Sequence, residues 1–574
     1  MGSRSSSLSR FLSLQLVILY CSVVTFASMS KLTKFFIPIF VLLCSCVYFF
    51  LVLGWSYLDP TNAIWLLDGD HAAHYFGWAF VRHQDWSFPL AFAPDLLHPS
   101  GTYAAFTDSV PVASALFQAL NPILPPVFQF AGIWFLMSFV LQGYFAGLLL
   151  REFKLPPLFV VLGSLLFVMS PPMLFRYFHV SLVAHWAIIA ALWNYVRAVH
   201  SRHPLPHPLA VFALFVASGI QPYLAVMVFA LVFVQPLAVW LVGSGEQRVR
   251  CLLGSFIAVI TLVGGFKLFG YFEGASYKEV GFEAYATDLT AFINPMRTSR
   301  LIPTLPTGAG QYEGYAYLGL GVILLLVVVA KLYRGERLLS RLCVDLRWRL
   351  LALAVAGMYL YALSGRIRFA NKWILSLRFL YEPLGSLTST FRSSGRFCWP
   401  AYYVILSFAI VAFARSRLSR RTKSLLFVGF FALQIVDVMP LYHGHGFRDQ
   451  RATLKVFDPK PVLPTDRDFS KVILVPPQIF HYACVTKTLG SDWYIPYSFY
   501  AALNGLSINA GSVSRTAAEQ NRYCEDFSVF LQSGPLDREA IYVLHPELKQ
   551  RFLTSFKDLV SCYLQGGHQF CVAL

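Results

Sequence analysis

Long apolar runs separated by short polar ones occupy most of this chain. The first secure run covers roughly 35–55. Later runs fall near 127–150, 157–170, 180–199, 208–220, 222–242, 251–270, 315–333, 349–364, 397–414 and 423–441. Most approach the ~20 apolar residues a helix needs to cross a bilayer, so the pattern predicts an all-α polytopic transmembrane bundle of about eleven spans. One apolar stretch, PVASALFQALNPILPP at 111–126, is too short to cross and ends in prolines; it predicts a helix lying in the membrane interface. After residue 441 the long runs stop. Short β-rich pieces replace them, KVILVP at 471–476, AIYVLH at 540–545, SCYLQ at 561–565 and the terminal QFCVAL, with a helical stretch around Arg515 to Leu531 between them. The expected organisation is an N-terminal segment 1–34, a transmembrane domain 35–441 with a large loop at 56–126, and a small C-terminal α/β domain at 442–574. Three readings of residues 1–28 stay open: a cleaved signal, an extra span, or residues upstream of a true start at Met29.

Composition agrees with the pattern. Of 574 residues, 57% are hydrophobic and 13% charged, about half the charge of a typical soluble protein. A net charge of +17 would suit nucleic acid, but the cations lie in short loops between apolar runs. There they obey the positive-inside rule, so no nucleic-acid partner is expected. The loops at 151–154, 197–203, 243–250, 331–349 and 415–423 are basic and are read as cytoplasmic. The 56–126 and 271–314 loops and the tail are then extracytoplasmic. One segment, 365–396, departs from this, with six cations against Glu382. Lipid-phosphate binding and simple snorkelling of long side chains to headgroups both fit it. Four of the ten cysteines, Cys484, Cys524, Cys562 and Cys571, sit in the tail, where one or two disulfides are expected if it is extracytoplasmic; free buried thiols are the other reading.

The stretch DGDHAAHYFGWAFVRH opening at Asp68 holds the main candidates for chemistry. Asp70 precedes a helical pattern and is expected to cap it. His71, His74, Trp78 and Arg82 then share one face. Asp70 with Asp68 forms a DxD pair suited to general-base chemistry, and Asp68, Asp70, His71 and His74 have the donor types for a divalent cation, although no third or fourth ligand is fixed by spacing. Asp108 in FTDSVP is expected, with Ser109, to cap the short apolar helix and to face the same surface as Asp70. In RYFHVSLVAHW, Arg176, His179 and His185 lie near membrane level, where unpaired polar groups are costly and function is a fair default. Arg176 has the fork geometry for phosphate. In GQYEGYAYLGLG, Tyr312 and Glu313 suit a sugar surface or an aromatic belt. In FRSSGRFCWP, Arg392 and Arg396 flank Ser-Ser-Gly, suited to phosphate or to a plain helix start.

The phrases GDHAAHYFGWAFVRH, FTDSVP, RYFHVSLVAHW, GQYEGYAYLGLG and FRSSGRFCWP resemble a family of bacterial polytopic membrane proteins placed near the GT-C class of membrane glycosyltransferases. The likeness covers most of 35–410 and little of the tail. It implies an enzyme of the bacterial cytoplasmic membrane that moves a sugar from a polyprenyl-phosphate donor to a cell-envelope glycan or lipid on the outer face. It places the general-base role on Asp70, supported by Asp68 or Asp108, and the donor phosphate on Arg176 or the Arg392–Arg396 segment. His71, His74, His179, His185, Tyr312 and Glu313 are the expected substrate contacts. No P-loop or Rossmann glycine pattern is present, as suits a donor already activated by phosphate. Two alternatives remain: an envelope lipid transporter, which needs charges buried mid-span, with Lys267 the one candidate, and a non-catalytic scaffold whose tail binds a partner.

Overall fold

The computed structural model describes residues 33–274, 281–334, 345–443, 460, 463, 467–479, 482–483, 493–515 and 520–574. Helix α1 (Thr33–Val52) opens the bundle and is followed by a large loop carrying α2 (Gly69–Val81), a two-stranded ribbon β1–β2 (Phe92–Ala93 with Thr102–Tyr103) and α3 (Pro111–Ala119). The bundle continues with α4 (Ala131–Glu152), α5 (Pro157–Val168), α6 (Trp186–Ser201), α7 (Pro208–Ser218), α8 (Pro222–Trp240), α9 (Gly245–Leu268), α10 (Leu320–Leu332), α11 (Leu346–Leu363), α12 (Trp399–Ala414) and α13 (Arg420–Asp437). A second ribbon, β3 (Arg366–Phe369) and β4 (Lys372–Ser376), lies between α11 and α12.

Seven helical segments are long and apolar enough to cross a membrane: Ala131–Glu152, Pro157–Leu174, Ser181–Ser201, Pro222–Trp240, Gly245–Leu268, Leu346–Leu363 and Ser394–Ala414. The chain is therefore a multi-pass membrane protein. Three apolar helices, Phe36–Val52, Pro208–Ser218 and Leu320–Leu332, are shorter. The last expected span, 423–441, forms α13, whose charges Arg420, Arg421, Lys423 and Asp437 sit at its two ends, and it is not among the seven. The count of eleven spans is thus not established. α3 leaves Leu116 exposed, and Leu120 and Ile123 just beyond it are exposed too. The readings of residues 1–28 lie outside the described residues.

The expected strands of the tail all form. β5 (Lys471–Val475), β6 (Ser507–Ile508), β7 (Ala540–Leu544), β8 (Val560–Gln565) and β9 (His568–Ala573) make one mixed sheet in the order β8-β9-β7-β5-β6. β5 pairs in parallel with β6 and β7, while β7–β9 and β9–β8 are antiparallel. α14 (Ile495–Asn504), α15 (Gln520–Ser533) and α16 (Pro546–Phe556) complete the unit. Cys562 and Cys571 face each other across β8–β9 and form a disulfide. Cys484 and Cys524 lie outside the residues described at side-chain level.

This unit is not a free appendage. Ile508 of β6 bridges in parallel to Leu96 of the first loop. Its N–H donates to the Asp95 carbonyl, and its own carbonyl accepts from His98 N–H, each at 2.8 Å. Ser507 Oγ donates to Asp95 Oδ1 at 2.6 Å, and Gln84 Nε2 holds the other carboxylate oxygen at 2.7 Å. Asp95, one of the loop acids, is therefore a docking group. α14 packs on α2 through Phe499 on Tyr75 and Tyr494 on Phe76.

Candidate functional site

α2 is sandwiched between the bundle and α14, so Ala72 through Val81 are all buried. Its N-cap position falls on Asp68, not Asp70 as expected. Asp68 is extended and makes no side-chain cap, and Asp70 sits in the first turn, where the helix dipole favours a carboxylate. At the other end the Arg82 guanidinium donates to Asn121 Oδ1 and to the Pro125 and Pro126 carbonyls. That fixes the helix against the turn before α4. Gly77 permits the closest approach: a Cβ there would overlap Thr107 Oγ1 and Ser109 Oγ. Asp108 thus lies on a turn pressed against the acidic helix. The expected cap of α3 by Asp108 or Ser109 does not form; Val110 occupies that position with left-handed backbone and no side-chain cap.

Asp70, at 52% side-chain exposure, meets His179 Nε2 at 3.3 Å. His179 comes from the loop between α5 and α6, and its ring centroid lies 5.7 Å from that of His74. His74 Nδ1 hydrogen-bonds the Asp108 carbonyl at 2.8 Å. Burial, then the nearby Arg396 charge, hold the His179 imidazole well below its ordinary range, which favours its neutral form. In its Nε2–H tautomer it donates to Asp70. Burial also lowers His74. The Asp108 carboxyl is pushed up to about 6, chiefly by burial; Arg396 opposes that rise, and the Asp70 and Glu313 charges add to it. Those influences place Asp70, Asp108, Glu313 and Arg396 in one electrostatic neighbourhood.

Glu313 is the hub of the cations. Arg396 grips it with both arms, Nε to Oε2 at 2.8 Å and Nη2 to Oε1 at 3.0 Å. Arg176 Nη1 reaches Oε2 at 3.0 Å. Burial works against Glu313 ionising, yet the two guanidiniums outweigh it and hold the carboxyl well below the usual range. Arg176 is 0% exposed. Its Nη2 donates to the Tyr312 and Glu313 carbonyls, and Trp399 lies beneath it at 5.5 Å. Its Nη1 thus faces the Glu313 carboxylate and its Nη2 the two carbonyls, so it holds Glu313 and the Tyr312 backbone in place. Gly395 makes the meeting possible: a Cβ there would stand 2.7 Å from the Gly314 backbone and the Tyr285 carbonyl, closer than atoms pack.

The remaining candidates separate. Asp68 is exposed. His71 Nε2 is taken by the Tyr177 carbonyl at 2.9 Å, and burial brings it down to about 4. With His71 turned away, the expected cation set Asp68, Asp70, His71 and His74 does not converge, and no group of three or more such residues is poised for a metal among the described residues. His185 lies inside the bundle, bonded to Tyr403 OH at 2.8 Å and packed on Trp399. It belongs to the core. Arg392 is half-buried over the Tyr285 ring. Lys267 sits at the last turn of α9, paired with Glu273 at 2.6 Å, and is not a mid-span charge.

Three residues at the site escaped sequence reasoning. Gln221 caps α8 by accepting from Tyr223 N–H and acts on the Asp108 carboxyl, lowering it slightly against burial. Tyr223 lies 4.6 Å below Arg396, and its hydroxyl accepts from Ser393 N–H. The buried Tyr271 hydroxyl has no hydrogen-bond partner among the described residues and feels the Asp108 charge. The signal for Gln221 was present: a polar residue before Pro222 at a span start, at the same end of the bundle as the first loop.

A family model described as a domain of unknown function, DUF6311, matches residues 42–439, more than half of the chain. The chain belongs to the DUF6311 family. The C-terminal domain model of DUF6311 matches residues 464–573. No curated protein matches this DUF6311 chain. Among solved structures it is similar to the Archaeoglobus fulgidus oligosaccharyltransferase with a tethered acceptor peptide containing the NVT sequon. That likeness has a TM-score of 0.43 and 12% identity over 95% of this chain and 74% of that one.

Proposed function

We propose that this DUF6311 chain is a glycosyltransferase of the bacterial cytoplasmic membrane, moving a sugar from a polyprenyl-phosphate donor to a cell-envelope glycan or lipid acceptor on the outer face. What supports the reading is the geometry around two acids of one loop: Asp70 meets His179, His179 packs near His74, and His74 hydrogen-bonds the Asp108 carbonyl, with Arg396 acting on the Asp108 carboxyl. A carboxylate able to take a proton beside a fixed guanidinium is what sugar transfer from a phosphate needs.

In this reading the acceptor hydroxyl gives its proton to Asp70 as its oxygen attacks the anomeric carbon. The bond from that carbon to the phosphate oxygen breaks, and polyprenyl phosphate leaves with the electron pair. His179 orients the Asp70 carboxylate. Asp108, raised by burial, exchanges protons near neutrality and supports the acceptor side. Arg396, while bound to Glu313, offsets the charge of the departing phosphate, and Arg176 serves indirectly by holding Glu313. Tyr312 and His74 line the approach. Asp68, exposed two residues before Asp70, is its weaker partner.

The test is Asp70→Asn in membranes supplied with labelled polyprenyl-phosphate sugars. Loss of a positioned general base lowers transfer by about 10²–10⁴-fold, with expression and melting unchanged. Transfer at the wild-type rate in that variant ends the assignment.

A further inference from the structure

The segment from 371 to 390, between α11 and α12, contains no buried residue, yet it reads NKWILSLRFLYEPLGSLTST. Trp373 is 62% exposed and Phe379 66%, and Ile374, Leu375, Leu384 and Leu387 are exposed with them. A soluble surface seldom shows so much contiguous apolar side chain unless something covers it.

Its place in the fold indicates the cover. The segment follows α11, whose Leu353 and Leu360 are exposed along the span, and returns to α12 at the end that carries Arg396. Tyr381 OH donates to the Leu360 carbonyl at 2.9 Å, which fixes the segment against the end of α11. The apolar surface is therefore continuous with a lipid-facing helix. Depth follows from the backbone. β3–β4 is a two-stranded ribbon, and open sheet edges are excluded from the hydrocarbon region because their N–H and C=O groups need partners there. The headgroup layer supplies those partners while still accepting aromatic and leucine side chains. The charges agree. Arg366 and Arg378 are both paired with Glu283, and Arg366 lies 4.0 Å over Trp373. Lys372, beside Trp373, is exposed and makes no ion pair among the described residues, so it is left for an outside anion.

We propose that the β3–β4 ribbon and the short helices Arg378–Tyr381 and Gly385–Thr390 lie in the phospholipid headgroup layer of the leaflet on the site's side, with Lys372 against anionic headgroups. This inference reads no transfer activity and stands apart from the proposed reaction.

The experiment places a benzophenone amino acid at Trp373 or at Phe379 in the full chain, in nanodiscs of mixed phosphatidylcholine and phosphatidylglycerol. Irradiation is followed by mass spectrometry. Both positions replace exposed aromatic rings, so folding is preserved. Phospholipid adducts are expected at both and not at exposed Thr554 of the C-terminal unit. The Lys372→Glu change, made in the Trp373-labelled chain, should lower the phosphatidylglycerol share of adducts by about fivefold or more, since each basic group near an anionic surface carries about that factor. Adducts to a second protein chain, lipid adducts no more frequent than at Thr554, or an unchanged lipid ratio in the Lys372→Glu chain would each overturn the proposal.

Discussion

Replacing Glu313 by Gln keeps the shape of the side chain and removes one charge from between two buried guanidiniums. In the wild type, Glu313 accepts from Arg396 Nε and Nη2 and is ion-paired with Arg176 Nη1, all within 3.0 Å. Both arginines are buried, so water cannot take over the lost charge. A glutamine also turns an amide N–H₂ toward one of the two cations. Breaking a buried pair by removing one partner costs about 3–5 kcal/mol, because the partner charge stays behind unpaired. That is about a hundred- to several-thousand-fold in the folding equilibrium. Denaturant unfolding in detergent, followed by tryptophan fluorescence, reads the loss; Trp399 lies 5.5 Å from Arg176 and reports locally. A second substitution controls the interpretation. Arg176→Met in the Glu313→Gln background removes the surplus cation and should recover part of the lost stability. If Glu313→Gln is as stable as wild type, or if the double variant is no better than the single one, the buried triad is not what joins these loops.

Other predictions follow from the same geometry. The Asp108 carboxyl is raised to about 6 against an ordinary value near 3.8, chiefly by burial. Its ionisation therefore opposes folding, with no effect while both states are protonated, a growing cost as pH rises from about 4 to about 6, and a constant one above. Asp108→Asn should gain stability relative to wild type through that window in melting curves taken across pH; a constant difference would contradict the burial. Gly77→Ala would drive a methyl into Thr107 and Ser109 and should cost about 1–3 kcal/mol by overpacking, seen as a lower melting temperature. Asp95→Ala removes the acceptor of Ser507 and Gln84. It should cost about 1–3 kcal/mol and speed hydrogen exchange at Ile508 more than in the transmembrane helices.

The hydrophobic pattern was enough to read the helices and the tail strands, because a run of apolar residues buries itself wherever it lands. It also puts Asp70 and Asp108 in one loop, which the fold keeps together through His74 and His179. Partners were another matter. Nothing in RYFHVSLVAHW says that the Arg176 fork is filled by Glu313 and two carbonyls more than a hundred residues on. His185 and His179 read alike in sequence, and only packing sends one to Tyr403 inside the bundle and the other to Asp70. The cap position falls on Asp68 because the chain leaves its extended conformation two residues before Asp70. Gln221 carries no charge, so nothing in its sequence context ties it to Asp108, 113 residues earlier.

The bridge between Leu96 and Ile508 has a consequence for biogenesis. Ser507 and Asp95 are 412 residues apart in the chain, so the loop bearing both acids leaves the ribosome long before its brace exists. Contacts of such separation form late and slowly. A nascent chain therefore carries its acids in unfinished form until nearly the whole polypeptide has been made and the tail has reached the loop's side of the membrane. Truncation anywhere before that point leaves a bundle that is inserted but without the support its first loop was shaped to receive.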